Sequence, residues 1–138
     1  MARPPRPTRN RDSAFFWEGV EAGELRVQRC QTCNALRHPP VPMCPGCHSL
    51  DWHWIVSEGR GEIYSFVVHH HPPVPGLEPP CVIALVELAE GTRLVANVVG
   101  IDPADVSIGM AVRVEFRRIE GEDGWVLPCW RPAAPVSA

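Results

Sequence analysis

The 138-residue sequence predicts a mainly β protein: an N-terminal helix, a four-Cys zinc ribbon, then a five-stranded OB-fold barrel. Three observations carry that prediction. Residues 30–47, CQTCNALRHPPVPMCPGC, hold two Cys-x-x-Cys pairs with ten residues between them. A cluster of aromatic residues, FFW at 15–17, stands just before them. Short apolar runs with strand patterning fill the rest of the chain. The expected divisions are residues 1–26 for an arm and helix, 27–55 for the ribbon and 56–138 for the barrel.

The first eleven residues set Arg3, Arg6, Arg9 and Arg11 among Pro4, Pro5 and Pro7, with no apolar content to pack. That composition predicts a mobile arm. A helix begins near Asp12 or Ser13, either of which can cap its free amides, and Gly23 ends it. Phe16 and Trp17 lie four and three residues before Val20, so the three share a stripe. Three adjacent aromatic rings exceed what so short a helix hides against itself, and isolated helices under about 12–15 residues are marginal in water. Phe15, Phe16, Trp17 and Val20 are therefore the candidate partner-binding residues. Each ring buried would remove roughly 150–250 Å² from water.

In the barrel, GEIYSFVVH (61–69) alternates, with Tyr64, Phe66 and Val68 expected on one face. CVIALVEL (81–88) is a nearly continuous apolar run, the pattern of a strand buried on both faces. Ala89, Glu90 and Gly91 make a hairpin connection, after which Leu94, Ala96 and Val98 share a side. Asp102 before Pro103 reads as an N-cap and first helical residue, giving one helical turn before Gly109. AVRVEFRRI (111–119) puts Val112, Val114 and Phe116 inward. GWVLPCW (124–130) is the last strand, and Pro128, which cannot donate to a ladder, makes it an edge or a bulged strand. Five strands with a helical turn between the third and fourth fit an OB barrel, with an SH3-like barrel as the competing architecture.

Composition limits the function classes. The formal charge is −3, the pI about 6.0, and all 13 basic residues are Arg. A weakly acidic chain argues against nonspecific nucleic-acid binding, which depends on neutralising phosphates. No apolar run approaches the ~18–20 residues that cross a bilayer. MARPPRPTRNRDS lacks the apolar stretch of a secretory signal, so the expected setting is the cytoplasm, where clustered thiols are metal ligands before they are disulfides.

Cys30, Cys33, Cys44 and Cys47 form two knuckles, and four thiolates at about 2.3 Å are what tetrahedral Zn²⁺ accepts. Rubredoxin-like iron and a degenerate, metal-free ribbon are the alternatives. The segment is too short to fold on a hydrophobic core, and metal binding contributes roughly 10–16 kcal/mol in such knuckles. Four thiolates leave no open position for water, so this metal is structural. His38 and His48 read as exposed ribbon-loop residues.

Among the remaining candidates, His69, His70 and His71 cannot converge on one metal while a strand stays regular, because only His69 and His71 share a face. Those two are the candidate residues of a substrate-side loop, followed by the Pro-rich PPVPGLEPP. Cys81 and Cys129 read as core thiols. Trp52 and Trp54 are expected to pack ribbon on barrel. No nucleophile elbow, Walker loop, dinucleotide fingerprint or carboxylate pair occurs. The chain has no catalytic set of its own.

The aromatic start FFWEGVEAGEL, the four-Cys ribbon and the barrel stretches GEIYSFVVHHHPPVPG, CVIALVELAEGTRLVANVVGIDPADVSIGMAV, RVEF and LPCWRP together resemble a family of zinc-ribbon/OB-fold proteins that accompany acyl-CoA enzymes. The resemblance covers residues 12–133, and ANVVGIDPADVSIGM and FFWEG are its most specific parts. It implies a thiolase-like companion; in actinobacterial steroid catabolism this is a lipid-transfer-protein-type aldolase acting on a side-chain CoA ester. The module also occurs fused or bound to a hot-dog-fold enoyl-CoA hydratase. By resemblance, the chain is a non-catalytic partner subunit in a hetero-oligomer, with the acyl-CoA held mainly by the aldolase, the ribbon thiols on Zn²⁺ and the helix as docking piece. HHH stands where His followed by Arg is common in the family, a departure at any anionic contact. Two other readings remain open: an acyl-CoA-binding barrel of a hydratase complex, using the 70–80 loop, and a single-stranded nucleic-acid module. The chain as one end of a larger hydratase-linked protein is also consistent with the sequence.

Overall fold

The structure, a computed structural model, describes residues 4–121 and 124–133. Helix α1 spans Ala14–Glu21. A three-stranded antiparallel sheet follows, with β1 (Arg26–Cys30) between β2 (Leu36–Arg37) and β3 (Trp52–Val56). The barrel comprises β4 (Arg60–His69), β5 (Cys81–Leu88), β6 (Arg93–Val98), β7 (Ala111–Ile119) and β8 (Trp125–Pro132), closed in the order β4-β5-β6-β8-β7. After β6 the chain places β7 against β4, then returns with β8 between β6 and β7, so the third and fifth strands meet in parallel at Val98 and Trp130. That Greek-key return is the OB arrangement and decides against the SH3-like alternative.

The start of α1 differs from expectation. Ser13 already has helical backbone angles, and its side chain makes no cap bond. Asn10 does the work: its Oδ1 accepts from the Asp12 and Ser13 amides at 2.9 Å each, while its own amide donates to Ser13 Oγ at 3.1 Å. The segment before it has no regular structure but is held at two points. Arg9 pairs with Glu21 at 3.2 Å, and Pro4 lies against Gly76.

Two strands are patterned differently from their sequence reading. In β4 the register shifts between Ile63 and Ser65, so Tyr64 is a bulged residue. Ile63 therefore points inward with Phe66 and Val68, while Tyr64 faces out under the guanidinium of Arg93, 3.7 Å from its ring centre. β5 is buried on one face only: Val82, Ala84, Val86 and Leu88 are inside, whereas Ile83 and Leu85 are half-buried and Glu87 exposed. Among the described residues, none covers the outer face of that strand enough to bury it fully. The last strand corrects its reading as an edge or bulged strand: β8 lies between β6 and β7 in the closed barrel and pairs with β7 in unbroken register, Pro128 opposite Phe116. Pro128 is accommodated because β8 meets β6 in register at Trp130 and not at the proline. Asp102 caps the 3-10 turn Pro103–Asp105 by accepting from the Ala104 amide at 2.9 Å.

One hydrophobic core runs through all three parts. It joins Phe15, Phe16 and Val20 of α1 to Leu25 and Val27 of the ribbon and to Ile63, Val86, Val112 and Trp130 of the barrel. The 57–59 link is fixed by Glu90 of the β5–β6 hairpin, which accepts from Ser57 Oγ at 2.7 Å and from the Glu58 amide at 2.9 Å. Gly59 must be glycine here: φ is +75°, and a Cβ would sit 2.6 Å from Val114.

Candidate metal centre

Each Cys-x-x-Cys pair makes the same turn. Asn34 donates to the Cys30 carbonyl at 3.0 Å, and His48 donates to the Cys44 carbonyl at 2.9 Å. Asn34 and His48, the residues after each pair, both take the left-handed conformation with φ near +64° and +65°. The ladder of β1 on β3 then sets the two turns face to face. The four sulfurs lie within 4.8 Å of one another, with Cys30–Cys47 at 3.5 Å and Cys33–Cys44 at 3.6 Å. A disulfide is about 2.05 Å, so these are separate thiols. Ligands on the corners of a tetrahedron at about 2.3 Å from a central ion would be about 3.8 Å apart. The set fits a metal ion.

The electrostatics agree. The Cys33 amide, directed at Cys30 Sγ from 3.5 Å, leads the effects that bring the Cys30 thiol down to about 6. The amides of Cys47 and Gly46 lower Cys44. At Cys47 the Ser49 amide favours the thiolate, but the Cys30 thiol, burial and the other two cysteines outweigh it and push the group up to about 11. The thiolates of Cys30 and Cys44 are favoured and that of Cys47 is resisted, a repulsion that a dication relieves. Cys30 and Cys44 are buried, Cys33 and Cys47 exposed. Among the described residues no other group of three or more His, Cys, Asp or Glu gathers in this way.

Behind the cluster, the structure reveals a polar brace that the sequence reading missed. Gln28 is fully buried between β2 and β3; its Nε2 donates to the Val41 carbonyl at 3.0 Å and its Oε1 accepts from the Val41 amide at 3.0 Å. Arg37, 8 % exposed, donates from Nε to Gln28 Oε1 at 2.9 Å and from Nη2 to the Val41 carbonyl at 3.0 Å. The only signal in the sequence was a Gln and an Arg next to the apolar residues Val27 and Leu36.

The aromatic candidates find a surface inside the chain, which corrects the premise on which they were expected to dock. Phe15 lies 4.9 Å from Trp52 and 5.6 Å from Trp54, ring centre to ring centre, and Phe16 is 5.1 Å from His38. Phe15, Phe16 and Val20 are buried, and Trp17 is half-buried, edge-on to Phe16 at 5.0 Å. Trp52 and Trp54 receive the helix on the ribbon, and Trp52 also packs against the core that ribbon and barrel share. His38, expected to be exposed, is half-buried, and burial pushes its ring down to about 4. His48 is exposed as expected.

The histidine run is split. His69 ends β4 and its Nε2 lies 2.6 Å from the Pro72 carbonyl, while His70 and His71 are exposed beyond the strand. The 73–79 loop faces the end of β7 across a groove of about 790 Å³ whose charged lining is mixed: Arg117 and Arg118 with Glu78 and Glu120. Cys129 is buried, its thiol raised by burial and by Glu115; Cys81 is half-buried. Among the described residues no helix is long and apolar enough to cross a membrane.

Residues 17–53 match the family described as ChsH2, rubredoxin-like zinc ribbon domain, and residues 54–117 match ChsH2, C-terminal OB-fold domain. The chain belongs to the ChsH2 family. A solved structure described as an Ltp2-ChsH2(DUF35) aldolase contains a chain that is 50 % identical, with a TM-score of 0.85, covering 92 % of this chain and 98 % of that one. A probable enoyl-CoA hydratase alpha subunit of Thermomonospora curvata is 50 % identical over 131 residues, which is 95 % of this chain and 40 % of the relative. A 3-oxo-4,17-pregnadiene-20-carboxyl-CoA hydratase alpha subunit of Mycobacterium tuberculosis is 52 % identical over 92 % of this chain and 40 % of its own length. The chain thus spans about two fifths of these two curated relatives. Within the ChsH2 family, the four-sulfur cluster is the metal-binding ribbon, and the barrel is the OB domain.

Proposed function

We propose that this chain is the non-catalytic partner subunit of a thiolase-superfamily acyl-CoA aldolase that performs retro-aldol cleavage of a steroid side-chain CoA ester. The observation that carries the reading is its likeness, over almost the whole chain, to the ChsH2 component of an aldolase. Chemistry links that likeness to the hydratase relatives. Hydrating an enoyl thioester places a hydroxyl on the β carbon. Retro-aldol cleavage then takes the proton from that hydroxyl, breaks the bond between the α and β carbons, and leaves a carbonyl and a thioester enolate. Such a reaction needs a base at the hydroxyl and donors at the enolate oxygen. Among the described residues, the closed thiol cluster offers neither, and His69 is occupied by its own loop. The reacting groups therefore belong to the aldolase, and this chain supports them.

In this reading the ribbon holds Zn²⁺, whose d¹⁰ shell accepts four thiolates without geometric preference or redox change. The setting is the cytoplasm, where thiols stay reduced. Phe15, Phe16 and Val20 serve the complex by fixing α1 on the ribbon, and Trp17 is the aromatic residue of the helix left partly at the surface. His71 and the 73–79 loop stand on the substrate side, with the acyl-CoA held mainly by the aldolase. Co-expression with a thiolase-like aldolase subunit, followed by sizing and a retro-aldol assay with and without this chain, tests the reading. The expected result is a stable hetero-oligomer whose cleavage activity depends on the chain. Full activity of the aldolase alone, or turnover of a thioester by this chain alone, would overturn it.

A further inference from the structure

We propose that residues 38–50, the loop between and around the knuckles, form the face on which the aldolase subunit seats, with Val41, Met43 and Leu50 as its apolar anchors. The inference rests on the partner reading above and assigns it a surface. Four observations carry it. First, HPPVPMCPGCHSL contains no Asp, Glu or Arg in a chain that is 21 % charged. Loss of charge with retention of Met and other apolar groups marks the buried centre of protein interfaces. Second, the apolar side chains of this segment face solvent: Val41 is 37 % exposed, Met43 48 % and Leu50 66 %. The Cys44 amide bonds the Ser49 carbonyl at 2.9 Å, which brings Met43 and Leu50 to the two sides of one knuckle.

Third, the exposed segment is braced from inside at unusual expense. Both backbone polar groups of Val41 are held by the amide of Gln28, and the Val41 carbonyl is shared with Arg37. Burying a guanidinium is strongly unfavourable unless it is fully hydrogen-bonded, and Arg37 Nη1 has no partner. The sulfur cluster already fixes the ends of this loop, so joining two knuckles does not require the brace. Holding one exposed apolar conformation does, because rigidity present before binding reduces the ordering cost of association. Fourth, Pro39, Pro40, Pro42 and Pro45 stiffen the same stretch.

The same features choose the occupant. A face with no Arg or Lys, beside a thiolate cluster that carries net negative charge around a dication, offers nothing to phosphates, which excludes a nucleic acid or an anionic lipid surface. The complementary surface is an uncharged apolar recess on a folded protein, and three anchors of this kind fit a larger interface in which a few residues carry most of the binding energy.

The test is to replace Val41 and Met43 by Glu, singly and together, in the full chain, and to measure affinity for the co-expressed thiolase-like aldolase subunit by calorimetry. Metal content and melting are followed in parallel. Val95→Glu, 59 % exposed on the outer face of β6, is the control. Each loop variant is expected to weaken binding at least about tenfold and the double variant to abolish co-elution, since a carboxylate is excluded from an apolar recess. Metal per chain and melting stay at the wild-type value, and Val95→Glu binds normally. Wild-type affinity in the double variant would overturn the inference while leaving the partner reading intact, as would loss of binding in Val95→Glu alone. A wild-type chain that does not bind the aldolase at all would overturn both. A homodimer dissolved by the loop substitutions, with aldolase binding kept, would assign the face to a second copy and likewise overturn the inference.

Discussion

His38 shows how a single residue changes role once it is placed. Its ring sits against Phe16 where α1 meets the ribbon, and desolvation holds it near 4, below the ordinary 6.5. The unfolded chain therefore binds a proton at higher pH than the folded one. Stability is unaffected above about 6.5 and falls as pH drops toward 4, by about 2–3 kcal/mol at most from this group. Thermal melts between pH 7 and 4 should show that decline, and His38→Gln should flatten it, leaving the loss caused by protonation of the ribbon thiols. An unchanged slope in His38→Gln would mean that the imidazole does not titrate across folding. At this scale the sequence was most legible at the cysteines, because a metal knuckle is a local turn whose ligand spacing is written along the chain. It was least legible at Gln28 and Arg37. Their burial depends on what the rest of the ribbon folds over them.

Helix α1 illustrates the element scale. Its apolar rings were readable, and so was the need to cover them, but the covering surface was not. It lies on β3, more than thirty residues later, where Trp52 and Trp54 receive Phe15. Phe16→Ala should therefore destabilise the isolated chain by about 3–5 kcal/mol, the usual range for removing a buried ring. Urea unfolding without any partner present checks this. A helix whose rings served only a partner would leave that measurement unchanged. β4 and β5 make the complementary point. A bulge at Tyr64 shifts the phase of a period-2 pattern, so alternation predicted the right strand but grouped Tyr64 with Phe66 and Val68, whose face it does not share. In β5 the apolar outer residues Ile83 and Leu85 were consistent with burial on both faces, yet among the described residues they are only half-buried.

For the molecule as a whole, ribbon, helix and barrel share one core, but their stability has two sources. The barrel closes on backbone ladders and on Val86, Val112 and Trp130, whereas the ribbon is organised around four gathered thiols that fit a metal ion. Stripping the metal with a strong chelator should lower the melting temperature and expose amides of residues 26–56 to hydrogen exchange. The amides of β4 to β8 should stay protected. Loss of protection spread evenly over both regions would show that the ion holds the whole fold, and no change at all would show that the four thiols do not need it. The predicted succession of helix, ribbon and OB barrel followed from periodicity and Cys spacing alone, since each is a near-neighbour pattern. The sequence by itself determined which thiols gather and that a helix, a ribbon and a five-stranded barrel follow one another along the chain. The tertiary structure alone decided which faces are covered: it turned the aromatic helix inward and left the braced, uncharged loop outward. The reason is that burial is a property of residues distant in sequence meeting in space, which no local spacing records.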